Sequence, residues 1–534
     1  MDHSEIHAII ASAFECYESG QGSRAEFMLG RLLLDNPGNP YILAALSELY
    51  YFAGDMQKAL AYAQSAKAAL TQGSNFAEVL YVSKMLRCVG ESKPAFDTAM
   101  SYVIKDAASS PETHPMAIHL QSLDRHEAAK NLLRDVPEAR MDEGMMTSYG
   151  MALLFTGESD KARDIFRSAL AINSGDPFSA WQLSMLGEPE GREVRIRDFE
   201  AALKLEMSEE KKVMLAFALY NEYEASGDIE KSFSYLQSAN ELNSKSQLFD
   251  INEHTEKVDN YLERLSDMDF MGLQLDQVSV PASVFIFGLP RTGTTLLEKV
   301  ITSLADVEAV GEHQTFRRII EIQNNLRFSS SIDIVKRPFE EMMDLSQLGK
   351  QYLEKTAWRT KGRPYFTDKE TSNFTYAGFI AKALPNSRLI HIRRNPMDAC
   401  FSGYKQLFAR GAYTASYGLD SLASYYRNYS RVMAFWREAL GERMLEIRYE
   451  DLVLRHDETV ACIKDYCRFD DSATPAPPRP YKASTLSAAQ VQKPIHAGNI
   501  NAWAKYAEYL KPLRQALDAE YTAYMGAIEG VEIL

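Results

Sequence analysis

A phrase of turn, small residue and helix recurs through the first half of the chain, and its period limits the fold more than any other feature. It reads SGQGSRAEFMLGRLL around Gly20, AGDMQKALAYAQSA at Gly54, VGESKPAFDTAM at Gly90 and LDRHEAAKNLL at Asp124. It continues as TGESDKARDIFRSAL at Gly157, EGREVRIRDFEAAL at Gly191 and SGDIEKSFSYLQSA at Gly227. Successive anchors lie 34, 36, 34, 33, 34 and 36 residues apart, the period of a helix–turn–helix repeat. Each glycine is expected to end one helix in a left-handed conformation that costs other residues more. Ala59, Ala95, Ala128 and Ala162 follow the anchors and are expected to let paired helices approach closely. One such pair cannot bury its own apolar face, so neighbours must stack into a superhelix.

Residues 246–280 read as a helix and a short link, after which alternating strands and helices replace unbroken helix. The expected organisation is a repeat array over 1–245, a helical linker over 246–280 and an α/β domain over 281–534, since 534 residues exceed one ordinary core. Residues 280–534 hold 33 basic and 29 acidic side chains, against 25 and 44 in residues 1–279. So acidic a first half argues against a nucleic-acid grip, which needs basic stripes. The five cysteines contain no C-x-x-C pair, which favours reduced thiols over a disulfide framework or zinc site. The N-terminus carries acids where a signal peptide needs positive charge, and no apolar run approaches 18 residues, so a cytoplasmic protein without a membrane span is expected.

ASVFIFGLPRTGTTLLEKV reads as strand, loop and helix, and the loop is nearly a nucleoside-triphosphate P-loop, G-x-x-x-x-G-K-[ST]. Gly288 and Gly293 have the spacing and Thr295 the hydroxyl position, but Thr294 stands in the lysine slot. Loop amides and the helix N-terminus still suit an anion, and Arg291 can bind it bidentately from the other flank. Without the lysine, and without a convincing metal-binding aspartate, γ-phosphate transfer loses its main charge stabilisers. A kinase or GTPase is disfavoured.

The stretch P-R-T-G-T-T-L-L resembles the 5′-phosphosulfate loop of sulfotransferases, in the branch that includes tyrosylprotein sulfotransferases and bacterial sulfotransferases fused to tetratricopeptide repeats. The repeats upstream look like a tetratricopeptide-repeat array. The resemblance implies an all-α repeat superhelix followed by an α/β P-loop-like parallel-sheet domain. It also implies 3′-phosphoadenosine 5′-phosphosulfate (PAPS) as donor, 3′-phosphoadenosine 5′-phosphate (PAP) as product, and no metal. Arg291, Thr292, Gly293, Thr294 and Thr295 would grip the 5′ end. PNSRLIHIRRNPMDACFSGY resembles the family's 3′-phosphate site, with Arg394 and Ser402 at the right spacing. FTDKETSNF resembles the D-K-x-P-x-N segment and contributes Lys369, although Thr371 replaces the proline. EIRYEDLV contributes Tyr449, as donor ligand or core tyrosine. AQVQKPI resembles the loop that closes over the nucleotide, bringing Lys493 and Ser487, with Gln492 where bacterial relatives often carry arginine.

Sulfuryl transfer also needs a base within hydrogen-bond reach of the acceptor oxygen. VEAVGEHQTFRR supplies it: counted without gaps from the loop arginine, Glu312 falls where tyrosylprotein sulfotransferases keep their catalytic glutamate. A one-residue gap puts His313 there instead, as in cytosolic sulfotransferases. The expected enzyme is a PAPS-dependent sulfotransferase, its acceptor a protein or peptide, such as a tyrosine, recruited by the array. Carbohydrate, lipid and small-molecule hydroxyls stay open, as does a homodimer. The competing reading is a non-enzymatic repeat scaffold with a degenerate nucleotide-binding domain.

Overall fold

The computed structural model describes residues 3–103, 110–137, 140–270, 273, 282–335, 344–469 and 495–529. The repeats are helix pairs: α1 (His3–Glu18) with α2 (Gly22–Asp35), α3 (Pro40–Ala53) with α4 (Met56–Ala69), α5 (Phe76–Cys88) with α6 (Ser92–Val103), and α7 (Thr113–Ser122) with α8 (His126–Arg134). Three more follow: α9 (Glu143–Phe155) with α10 (Ser159–Ile172), α11 (Pro177–Met185) with α12 (Arg192–Ala202), and α13 (Glu209–Ser226) with α14 (Ile229–Ser246). All seven anchors have φ between +59° and +89°, Asp124 included. Ala59, Ala95 and Ala162 are fully buried five residues after their anchors. In the fourth pair that place belongs to Ala129, also fully buried, whereas Ala128 is half-buried. The small-residue position there is therefore one residue later than expected, because helix register, counted from the turn, decides which alanine faces the partner helix.

Helix α15 (Ile251–Ser266) follows, then a five-stranded sheet: β1 (Ala282–Phe287), β2 (Val307–Ala309), β3 (Tyr365–Asp368), β4 (Arg388–Arg393) and β5 (Met444–Arg448). Its order is β2-β3-β1-β4-β5, with every pair parallel. All six β1 residues are buried, as befits a central parallel strand covered on both faces. Intervening helices are α16 (Thr294–Leu304), α17 (Thr315–Gln323), α18 (Leu345–Thr360), α19 (Ala377–Ala383), α20 (Pro396–Tyr404), α21 (Leu419–Leu440), α22 (Tyr449–Leu454) and α23 (His456–Cys467). One face of the sheet packs Val284, Ile286, Ile390, Ile392 and Ile447 against Leu297, Val300 and Ile301 of α16.

Packing divides the chain into two compact units, Met1–Ala152 with His313–Gly362, and Leu153–Glu312 with Arg363–Leu534. In the first, the segment between β2 and β3 lies on the repeats. Gln57 N donates to Asn325 Oδ1 at 2.8 Å, Lys355 pairs with Glu91 at 2.5 Å, and the Trp358 ring stacks on Phe96 at 5.9 Å. In the second, α14 and α15 pack with the sheet-bearing part. Tyr261 Oη donates to the Thr375 carbonyl at 2.5 Å, and Phe270 meets Trp436 edge-on at 5.0 Å. Among the described residues no helix is long and apolar enough to cross a membrane.

Candidate functional site

The carboxyl ends of β1, β3 and β4 converge where strand order changes direction, the usual ligand crevice of a parallel sheet. At the end of β1 the chain passes so close to β4 that a Cβ on Gly288 would collide with the Ile392 carbonyl oxygen. Arg291 and Gly293 adopt φ of +71° and +105°, which curls the loop before α16 begins at Thr294. The Thr292 hydroxyl donates to Leu289 O at 2.7 Å, so it staples the loop from within. Thr294 and Thr295 form the buried first turn of α16, and a helix N-terminus attracts anions.

Arg291, Arg394, Ser402 and Tyr449 come together, although about a hundred residues separate the two arginines in sequence. Arg291 Nε lies 3.4 Å from Ser402 Oγ. Arg394 Nη1 donates to the Arg291 carbonyl at 3.0 Å, and Nη2 to that of Asn499. The Arg394 side chain is 6% exposed, and its Nε has no hydrogen-bond partner among the described residues. Its guanidinium lies 4.6 Å over the Tyr449 ring. That ring also backs the loop, since a Cβ on Gly293 would sit 2.5 Å from Tyr449 Cδ2. Burial, and then the Arg394 charge, lower the Arg291 pKa to about 10, which still leaves it cationic at neutral pH. Arg291 was assigned from sequence to the 5′ end of a donor and Arg394 with Ser402 to the 3′ end; in the fold all three share one cluster.

Arg393 and Arg394 diverge. Arg393 Nε pairs with Glu446 Oε1 at 3.0 Å, and Arg437 Nη2 reaches Glu446 Oε2 at 2.8 Å. Buried His391 contacts the same carboxylate through Nδ1 at 3.1 Å. Burial lowers the His391 pKa despite that carboxylate, and the hydrogen bond from His391, with Arg393 and Arg437 beside it, keeps Glu446 ionised against the cost of its own burial. This network is structural.

On the other side of β1, Lys369 Nζ pairs with Glu312 Oε1. Lys369 is 1% exposed and Glu312 38%, so the carboxylate reaches solvent while the ammonium does not. Burial opposes the lysine charge, but the Glu312 and Glu298 carboxylates outweigh it and raise the Lys369 pKa. The D-K-x-x-x-N segment holds its own shape: Asn373 Nδ2 donates to Asp368 Oδ1 at 3.0 Å, and Glu370 accepts from Ser372 N at 3.1 Å. His313 is packed with the first unit. Its ring stacks near Tyr352 at 6.2 Å, and burial, then Arg359, lower its pKa to about 3.

Two neighbouring residues were given no role by the motifs. Lys405 is the C-terminal cap of α20, three residues beyond Ser402. Asp398, 2% exposed, accepts from Asn501 N at 2.7 Å and from Trp503 N at 3.2 Å, sewing residues 499–503 to the start of α20. An aspartate four residues after Arg394 was the available signal for this anchor. Ser487 and Lys493 lie outside the described residues.

Residues 281–472 match the model of the sulfotransferase family. A protein of Aquifex aeolicus (strain VF5), described as uncharacterized, is 25% identical over 405 residues, covering 73% of this chain and 52% of that protein. The match thus spans about half the length of this curated relative. A tetratricopeptide repeat protein from Parabacteroides merdae shares 15% identity over 44% of this chain and 92% of its own, with a TM-score of 0.32. The sulfotransferase domain of the Synechococcus PCC 7002 olefin synthase shares 19% over 44% of this chain and 98% of its own, with a TM-score of 0.24. Behind its helical repeats, the chain thus carries in residues 281–472 a domain that matches the sulfotransferase-family model.

Proposed function

We propose that the protein transfers the sulfuryl group of PAPS to an acceptor hydroxyl. The observation that carries this reading is the cluster of Arg291, Arg394 and Ser402 beside a loop that has no P-loop lysine. Arg394 is buried, and among the described residues its guanidinium donates to backbone carbonyls, with Nε left over. Such a group suits an added dianion, and a 3′-phosphate is one that ATP lacks.

In this reading Arg394 and Ser402 bind the 3′-phosphate, Arg291 lies between the two phosphate-bearing ends, and Thr294, Thr295 and the loop amides face the 5′ end. Glu312 accepts the acceptor's proton as its oxygen forms a bond to sulfur. The bond from sulfur to the 5′-phosphate oxygen breaks, and PAP leaves with the electron pair. Lys369 holds Glu312 in place and offsets charge that develops on the transferred group. His313 is set aside as base because its imidazole packs against Tyr352. Lys493 and Ser487 remain assigned to the closing loop by family resemblance.

The acceptor we propose is a protein or peptide, with residues 1–245 as the recruiting array, 246–280 as link and 281–534 as transferase domain. Five free thiols favour a reducing, cytoplasmic setting. The test is transfer of label from PAPS carrying radioactive sulfur into a native lysate, followed by identification of the labelled molecule. Glu312→Gln is expected to slow transfer by about 10²–10⁴-fold while PAP affinity stays within about twofold. Full turnover in that variant contradicts the role of Glu312. A chain that binds no PAP is a scaffold.

A further inference from the structure

The last repeat hairpin, α13 with α14, packs on the end of α20 that follows Ser402. Lys405 follows Ser402 by three residues at the end of α20, so both project from one side of its last turn. All nine α20 residues are buried, and the hairpin clamps this end: Asn240 Nδ2 donates to the Tyr404 carbonyl at 3.0 Å, and Phe233 stacks near Tyr404 at 6.4 Å. Lys405 Nζ lies 4.0 Å from Glu224 Oε1 of α13, with the lysine side chain 26% exposed. A committed ammonium–carboxylate hydrogen bond is about 2.7–2.9 Å, so Glu224 steers this lysine without consuming it. Glu224 is itself held, accepting from Tyr506 Oη at 3.3 Å, and Tyr506 Oη lies 2.8 Å from Ser232 Oγ of α14. Burial lowers the Lys405 pKa; Glu224 opposes this, and the Arg291 and Arg394 charges add to it. The Lys405 charge is thus within electrostatic reach of both arginines, an arrangement that repels itself until an anion joins.

We propose that Lys405 is a third cation for the donor's 3′-phosphate, and that the terminal repeat hairpin positions it through Glu224. The proposal rests on the donor reading above. It makes the last repeat a working part of the nucleotide site as well as a link in the array.

The experiment titrates the full chain with PAP and with adenosine 5′-monophosphate, which lacks the 3′-phosphate, in the native protein, Lys405→Met, Lys405→Arg, Glu224→Gln and the Lys405→Met/Glu224→Gln double variant. Thermal melting of each confirms that it folds. The native chain is expected to prefer PAP. Lys405→Met is expected to weaken PAP by about tenfold and the monophosphate by less than about twofold, with Lys405→Arg restoring most of the loss. Glu224→Gln is expected to cost about threefold toward PAP, with no further loss in the double variant, because the carboxylate acts through the lysine. Equal weakening of both nucleotides by Lys405→Met, or none, overturns the lysine's role. Additive losses, or no effect of Glu224→Gln, overturn the hairpin's role. A native chain that does not distinguish the two nucleotides overturns the donor reading, and the proposal with it.

Discussion

Gly293 leaves no room for a side chain in the loop between β1 and α16. Its φ of +105° is strained for any side chain, and Tyr449 fills the space a Cβ would take. Gly293→Ala is expected to cost about 1–3 kcal/mol of stability and to weaken PAP binding. A urea melt and a titration check both; wild-type values for the two would show that the loop yields. Glu370 permits a test by pH. Burial, and then the Glu312 carboxylate, raise its pKa above the ordinary 4.5, so the folded chain retains a proton that the unfolded chain releases. Stability from this source is full below pH 4.5 and is lost as pH rises through the raised pKa. Glu370→Gln, whose amide oxygen can still accept from Ser372, is expected to melt near the native temperature at pH 4 and above it at pH 8. A variant that is less stable at pH 8 contradicts this. That Arg394 and Ser402 lie on one strand-to-helix turn was legible in the sequence from their spacing. Lys405 was not, because its meaning depends on Glu224, far away in the chain.

Among the elements, β1, its loop and α16 were readable because a run of six residues, all but Ser283 apolar, followed by glycine has few other uses. The repeats were readable through their period, apart from the alanine of the fourth pair. Helices α17 and α18 carry an equally regular pattern, but periodicity reports that a face is buried and not which core buries it. They pack on the first repeats, although they are encoded between β2 and β3. Helix α20 depends on α14 in the same unadvertised way. Asn240→Ala leaves the Tyr404 carbonyl without its donor and is expected to cost about 1–3 kcal/mol. Weaker PAP binding should accompany that loss, since Ser402 and Lys405 flank the same turn. Denaturant titration and calorimetry on one preparation check the coupling; a destabilised variant with unchanged PAP affinity contradicts it.

At the scale of the molecule, the boundaries suggested by pattern and the units formed by packing answer different questions. The change in composition near residue 280 marks where strands begin. The second compact unit begins at Leu153 and the first reclaims His313–Gly362, so neither unit is one continuous stretch. A chain starting at residue 281 is therefore expected to be insoluble or molten: it loses Tyr261 and Phe270 from the surroundings of Thr375 and Trp436, and its 313–362 segment loses the repeats. A soluble fragment with a cooperative melt would contradict this. The claim on which all of the account depends is that the lysine-less loop and the distant arginine–serine pair form one donor site. Calorimetric titration of the full chain with PAP, and separately with ATP and magnesium, tests it most directly. The account predicts saturable PAP binding without a metal, lost in Arg394→Ala, and much weaker binding of ATP. Tight magnesium-dependent ATP binding with no response to PAP would contradict it.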